Sequence, residues 1–244
     1  MTEPRLTVTS ARHQPLNCLV TLKVGSTFLR NLIYVLDHGK PFGTNEADFP
    51  KGLHSRFLTR DELQAQVSFF VVRDPVARFF SLYFDKVVGK PENRFHFITE
   101  KLLEHRVFHD GPELSLAQHR ENCMSLLGFV GVRLRNKKGR VVNPHWSRQI
   151  LRLGQGLEFG LQPLMLEHLE RQLLQIADGR IEGLEPAIAM VKSRNRSPRP
   201  VEIEDVLTPD IYHKIVSLYP EDIQLYDLVK TGWEVLGHPP EIKL

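Results

Sequence analysis

Cysteine is nearly absent from this 244-residue chain. Only Cys18 and Cys123 occur, far apart in apolar segments, so no disulfide framework and no cysteine zinc site is expected, and a reducing compartment fits best. Long apolar runs are lacking too. No stretch approaches the roughly 18 residues of a membrane-spanning helix, and the opening MTEPRLTVTSARHQP holds no apolar core of signal-peptide length. A cytoplasmic protein without an integral membrane segment is the expectation. Charge of one sign is not in excess: 32 Lys and Arg against 29 Asp and Glu leave +3, which argues against a nucleic-acid partner and leaves anionic small molecules open. There is no internal repeat and no low-complexity tract, which excludes a solenoid. Oligomeric state is not legible.

What is present, 41% hydrophobic and 25% charged residues, is the composition of a folded domain with a sizeable core. Two strand-loop-helix units dominate the first third. LNCLVTL, then KVGST, leads into FLRNLIYVL, where Leu29, Leu32, Ile33 and Leu36 follow the spacing of a buried helical face. VSFFVV, then RDP, leads into VARFFSLYFDKVV, where Val76, Phe79, Phe80, Tyr83, Phe84 and Val87 form one stripe. Asp74 reads as the N-cap of that second helix and Pro75 as its first residue. TRDE at 59 to 62 has capping-box spacing. Helices are expected at 95 to 108, 113 to 127, 208 to 218 and 220 to 229, a strand-to-helix step in LEFGLQPLMLEHLERQLLQIA, and a basic hairpin over about 130 to 149 turning at NKKG. The expected fold is α/β, a single domain over 1–244 built as a P-loop-like three-layer sandwich, with a mostly parallel sheet flanked by helices.

In such folds ligands collect at the carboxyl ends of the strands, beside helix N-termini. Lys23 ends the first strand and Arg73 the second, while Arg78 and Ser81 share a polar helix face. The lysine precedes its glycine, which is the reverse of the G-x-x-x-x-G-K-[ST] nucleotide loop, and no acidic pair suggests a magnesium site.

LKVGSTFLRNL resembles the 5′-phosphosulfate loop of the sulfotransferases, and FFVVRDPVARFFSLYFDK resembles their 3′-phosphate motif, with Arg73 and Ser81 eight positions apart. NPHWSRQ and YHKIVSLYPEDIQLYDL are similar to the carbohydrate-type members, and the likeness runs from about residue 16 to 230. The resemblance implies 3′-phosphoadenosine 5′-phosphosulfate (PAPS) as donor, adenosine 3′,5′-bisphosphate as product, a carbohydrate or other hydroxyl-bearing acceptor, and no metal. It puts Lys23 on the 5′-phosphate and bridging oxygen, Gly25, Ser26 and Thr27 around that phosphate, Arg73 and Ser81 on the 3′-phosphate, and Arg194, Asn195, Arg196 and Ser197 in a late donor-binding loop. His54 stands where related enzymes carry a catalytic histidine. Its ordinary pKa near 6.5 suits a general base.

Plainer readings stand beside these. Lys23 could be a solvated strand cap, Arg78 a surface ion pair with Asp85 or Asp74, and Ser81 an exposed helical serine. His145 rivals His54 as base, and Trp146 either lies near the acceptor or pins its loop to the core. His105 and His109 have i, i+4 spacing, with no third metal ligand apparent. Two alternatives from other classes stay open: a non-catalytic anion-binding module on the same fold, and a kinase-like enzyme using ATP.

Overall fold

The computed structural model describes residues 3–42, 49–105, 107–111, 113–135, 142–192 and 200–242. The chain folds as two compact units. The first comprises residues 1–73, 149–196 and 224–244, the second 74–148 and 197–223.

In chain order, the first unit opens with β1 (Leu6–Ser10), β2 (Leu16–Leu19), α1 (Ser26–His38), α2 (Lys51–His54), β3 (Ser55–Leu58), α3 (Arg60–Gln64) and β4 (Val67–Val72). The second unit follows with α4 (Pro75–Leu82), which continues as a π-helical turn over Tyr83–Val87, then α5 (His96–His105) and α6 (Leu116–Arg135). The chain returns to the first unit for α7 (Ile150–Glu158), β5 (Gln162–Met165), α8 (Leu169–Ala177) and α9 (Leu184–Lys192). The second unit takes α10 (Ile203–Val206) and α11 (Pro209–Leu218), and α12 (Pro220–Val235) passes from the second unit into the first.

The first unit carries the sheet, in the order β3-β1-β2-β4-β5. Strands β2, β4 and β5 are parallel, and β1 runs antiparallel to both β2 and β3. The α/β class holds, with a mixed sheet in place of a mostly parallel one. The difference lies in LTVTS, which sits on the sheet in clean alternation of buried and half-buried residues, a period-2 pattern too short to stand out beside the apolar VSFFVV. All six residues of β4 are buried, as expected of a parallel strand covered on both faces. Leu29, Leu32 and Ile33 of α1 enter the same core, with Leu36 at its margin. At the starting edge of the strands a polar ladder closes the sheet. Ser10 Oγ donates to Asn17 Oδ1 (2.7 Å), and Asn17 Nδ2 donates to Gln66 Oε1 (2.9 Å) and Ser68 Oγ (3.0 Å).

The second unit is helical. Asp74 caps α4 by accepting from the Ala77 N–H at 2.7 Å, with Pro75 in the first turn, and the whole stripe from Val76 to Val87 is buried. The expected basic hairpin is corrected in its first arm: residues through Arg135 belong to α6, because Leu126, Leu127 and Val130, all buried, and Leu134 continue a helical period through VRLR. Residues 136–141, which include the NKKG turn, lie outside the described residues. Gly131 lets α11 approach α6, since a Cβ there would meet Leu218 at 3.2 Å. Helix α5 ends at His105, so His109 is not on its face; the His109 ring pairs with Glu121.

Candidate active site

The chain leaves β2 at Leu19 and enters α1 at Ser26 through residues 20 to 25. Val24 is fully buried and pins the middle of this loop to the core. The residues on either side of it are left-handed: Lys23 at φ 66° and Gly25 at φ 80°. Glycine bears such a conformation at little cost, whereas a lysine there stores strain on the order of 1 kcal/mol or more. Gly25 has a second reason to be glycine, since a Cβ would stand 2.9 Å from Leu166 Cδ1. Gly25 is also the N-cap of α1, whose first turn carries no acidic residue. Left-handed residues next to a 13-residue helix N-terminus turn successive amides toward one side, the arrangement that cradles anions.

Arg73, directly after β4, reaches this loop: its Nη1 donates to the Lys23 carbonyl at 2.9 Å. Its own backbone is gripped by Gln149, whose Oε1 accepts from the Arg73 N–H (3.2 Å) and whose Nε2 donates to the Arg73 carbonyl (2.9 Å). Lys23, Gly25, Ser26, Thr27 and Arg73 are therefore brought together at the carboxyl edge of the parallel strands. Sequence reasoning missed Gln149, which is 76 positions from Arg73 with no spacing to link them. It also passed over Glu167 and His168, exposed directly after β5 at the same edge, although a position following a strand was a usable signal.

His54 is not brought there. Its ring is fully enclosed, with Nδ1 at 3.2 Å from the Ser10 carbonyl and 3.4 Å from Asp37 Oδ2, and it stacks on Phe49 with centroids 5.1 Å apart. Asp37 is held in turn by the backbone N–H groups of Arg12 and His13. Ser10 pairs with Asn17 near the start of β2, and Asp37 lies near the C-terminus of α1. At 1.5 Å per residue, the helix from Ser26 to Asp37 spans roughly 16 Å, and the strand from Ser68 to Arg73 a similar distance at about 3.3 Å per residue. Both place His54 at the edge opposite the lysine loop. Burial pushes its pKa below the ordinary value, partly offset by the Ser10 hydrogen bond and the Asp37 charge. Its Nε2 is buried with no hydrogen-bond partner among the described residues.

In the second unit, Ser81 is a half-buried residue of α4. Arg78 is not on the surface. Its side chain is buried, donating to the carbonyls of Ser147 (2.8 Å) and Pro144 (3.2 Å) in the 143 to 148 segment; burial lowers its pKa, against the opposing influence of Tyr219 and Asp222. Trp146 is buried against Phe129, and its carbonyl accepts from Tyr219 Oη. His145 turns Nδ1 to Asn143 Oδ1 (2.9 Å) and meets Phe95 edge to face. Arg194, Asn195, Arg196 and Ser197 lie outside the described residues. Both cysteines are free and buried, and burial raises their thiol pKa values far above the reactive range. Among the described residues there is no group of three or more His, Cys, Asp or Glu side chains placed to hold a metal, and no helix long and apolar enough to cross a membrane.

Sheet, loop and helix N-terminus together define an α/β protein whose left-handed lysine loop and α1 N-terminus meet at the carboxyl edge of the parallel strands. Its sequence matches the model of the Sulfotransferase family over residues 5–228. The chain belongs to the sulfotransferase family. No curated protein and no solved structure gives a significant match.

Proposed function

We propose that the protein transfers a sulfuryl group from PAPS to a hydroxyl of a carbohydrate or glycan-like acceptor. The observation that carries this reading is the lysine loop. Lys23, held left-handed with its carbonyl on Arg73, stands before the Gly25 cradle and the amides of Ser26 and Thr27. The Lys23 ammonium offsets charge gathering on the bridging oxygen and 5′-phosphate as the S–O bond breaks with its electron pair left on that phosphate, and preorganised amides stabilise the same charge. Arg73 and Ser81 take the 3′-phosphate by their motif spacing. The new S–O bond forms to the acceptor oxygen, and the acceptor proton passes to a side chain of the strand-end edge, where Glu167 and His168 are exposed. His54, which the resemblance put forward as base, is enclosed at the other edge and is assigned no step.

Thermal stability with adenosine 3′,5′-bisphosphate, and separately with ATP and magnesium, tests the donor. At about 100 times its dissociation constant, a ligand stabilises the fold by roughly 2.7 kcal/mol. Stabilisation by the bisphosphate is expected; stabilisation by ATP with magnesium alone would sink the reading in favour of a phosphotransferase. Labelled PAPS offered with a panel of saccharides then separates an enzyme, which transfers label, from a binding module, which does not.

A further inference from the structure

Gln149 is 3% exposed and stands immediately before α7. Its side-chain amide meets both backbone groups of Arg73, the pairing that a neighbouring strand would make. It does so just where the β4–β5 ladder has ended, at Val72 opposite Met165. The architectural task of this position belongs to its backbone, whose carbonyl accepts from Arg152 (3.0 Å) and Leu153 (2.9 Å) at the start of α7, as any residue's would. The side chain does something else: through Arg73 and its bond to the Lys23 carbonyl, it links to the strained left-handed lysine.

We propose that Gln149 is a positioning residue for the donor's phosphate loop, fixing the Arg73 backbone so that the guanidinium keeps Lys23 left-handed. This rests on the donor reading above. Gln149 touches no reacting atom; it acts through Arg73.

The test is titration of the full chain with adenosine 3′,5′-bisphosphate from pH 8 to pH 5, for wild type, Gln149→Met, Gln149→Glu and the double variant Gln149→Met with Arg73→Met. Loss of hydrogen bonds worth about 1.4 kcal/mol predicts roughly tenfold weaker binding by Gln149→Met. In Gln149→Glu the carboxylate still accepts from the Arg73 N–H but offers the Arg73 carbonyl no donor. Its binding is therefore expected to be weak at pH 8 and to recover toward wild type on acidification, as protonation restores a donor. The Gln149→Glu carboxylate also repels the bisphosphate until it is protonated, so the role is carried by the uncharged Gln149→Met and by its coupling to Arg73→Met, which a merely structural role would not give. In the double variant the loss is expected to be less than the sum of the single losses. Wild-type affinity in both single variants across the range, or full additivity with Arg73→Met, overturns the positioning role while leaving the donor reading intact. A wild type that does not bind the bisphosphate overturns both.

Discussion

A lysine at φ 66° persists only where its surroundings outweigh the strain, and at Lys23 those surroundings are Val24 anchored in the core and Arg73 on the carbonyl. Conformation and chemistry ask for different residues at this position. Replacing Lys23 with glycine is expected to stabilise the fold by up to about 1 kcal/mol, because glycine accepts left-handed backbone, while removing the ammonium and with it most of the donor affinity. Denaturant unfolding and bisphosphate titration of the same Lys23→Gly preparation read the two effects separately. Unchanged stability would mean that the loop relaxes its strain in another way. The strand-loop-helix step through KVGST was legible from the sequence, since a strand, a lysine and a small-residue turn before a helix are local features. The brace through Gln149 was not, because it joins residues that only the folded chain brings together.

Among the elements, local signals suffice wherever one short segment contains the whole cause. The Thr59–Glu62 capping box and the Asp74 cap with Pro75 formed as their residue types require. Asp74→Ala is expected to cost about 1 kcal/mol, visible as a lower urea midpoint with an unchanged slope; a loss near zero would mean that the packing of the Phe79 and Phe80 stripe alone fixes the start of α4. The failures were elements whose identity depends on partners. Strand β1 exists because β2 and β3 pair with it, and α6 runs through VRLR because Leu218 and its neighbours accept its apolar face. His54 is a third case. Sequence order suggested a catalytic neighbour for Lys23, but the antiparallel turn of β1 takes His54 to the far end of α1.

For the whole molecule, burial of histidines sets a pH dependence. His54 in the first unit and His119 in the second both have pKa values pushed down, chiefly by desolvation. The unfolded chain then binds more protons than the folded one below the ordinary histidine pKa near 6.5, so stability is full above that pH and is lost as pH falls through it toward the folded values. Melting temperature is expected to decline between pH 7 and pH 5. In His54→Phe, which keeps a ring against Phe49 without a titrating group, the decline should be shallower and sulfuryl transfer should persist. An equally steep decline would remove His54 from the pH effect, and lost transfer in a folded variant would return it to the reaction.

The sequence by itself determined the α/β class, both strand-to-helix steps, the caps and the lysine-first turn before α1, because each is written in contiguous residues whose spacing, β-branching and capping chemistry act over one or two turns. The tertiary structure decided which edge of the sheet each chemical group occupies. Strand direction and pairing are long-range properties: one antiparallel strand sent His54 away from Lys23, and the return of the chain at Gln149 put an amide against Arg73.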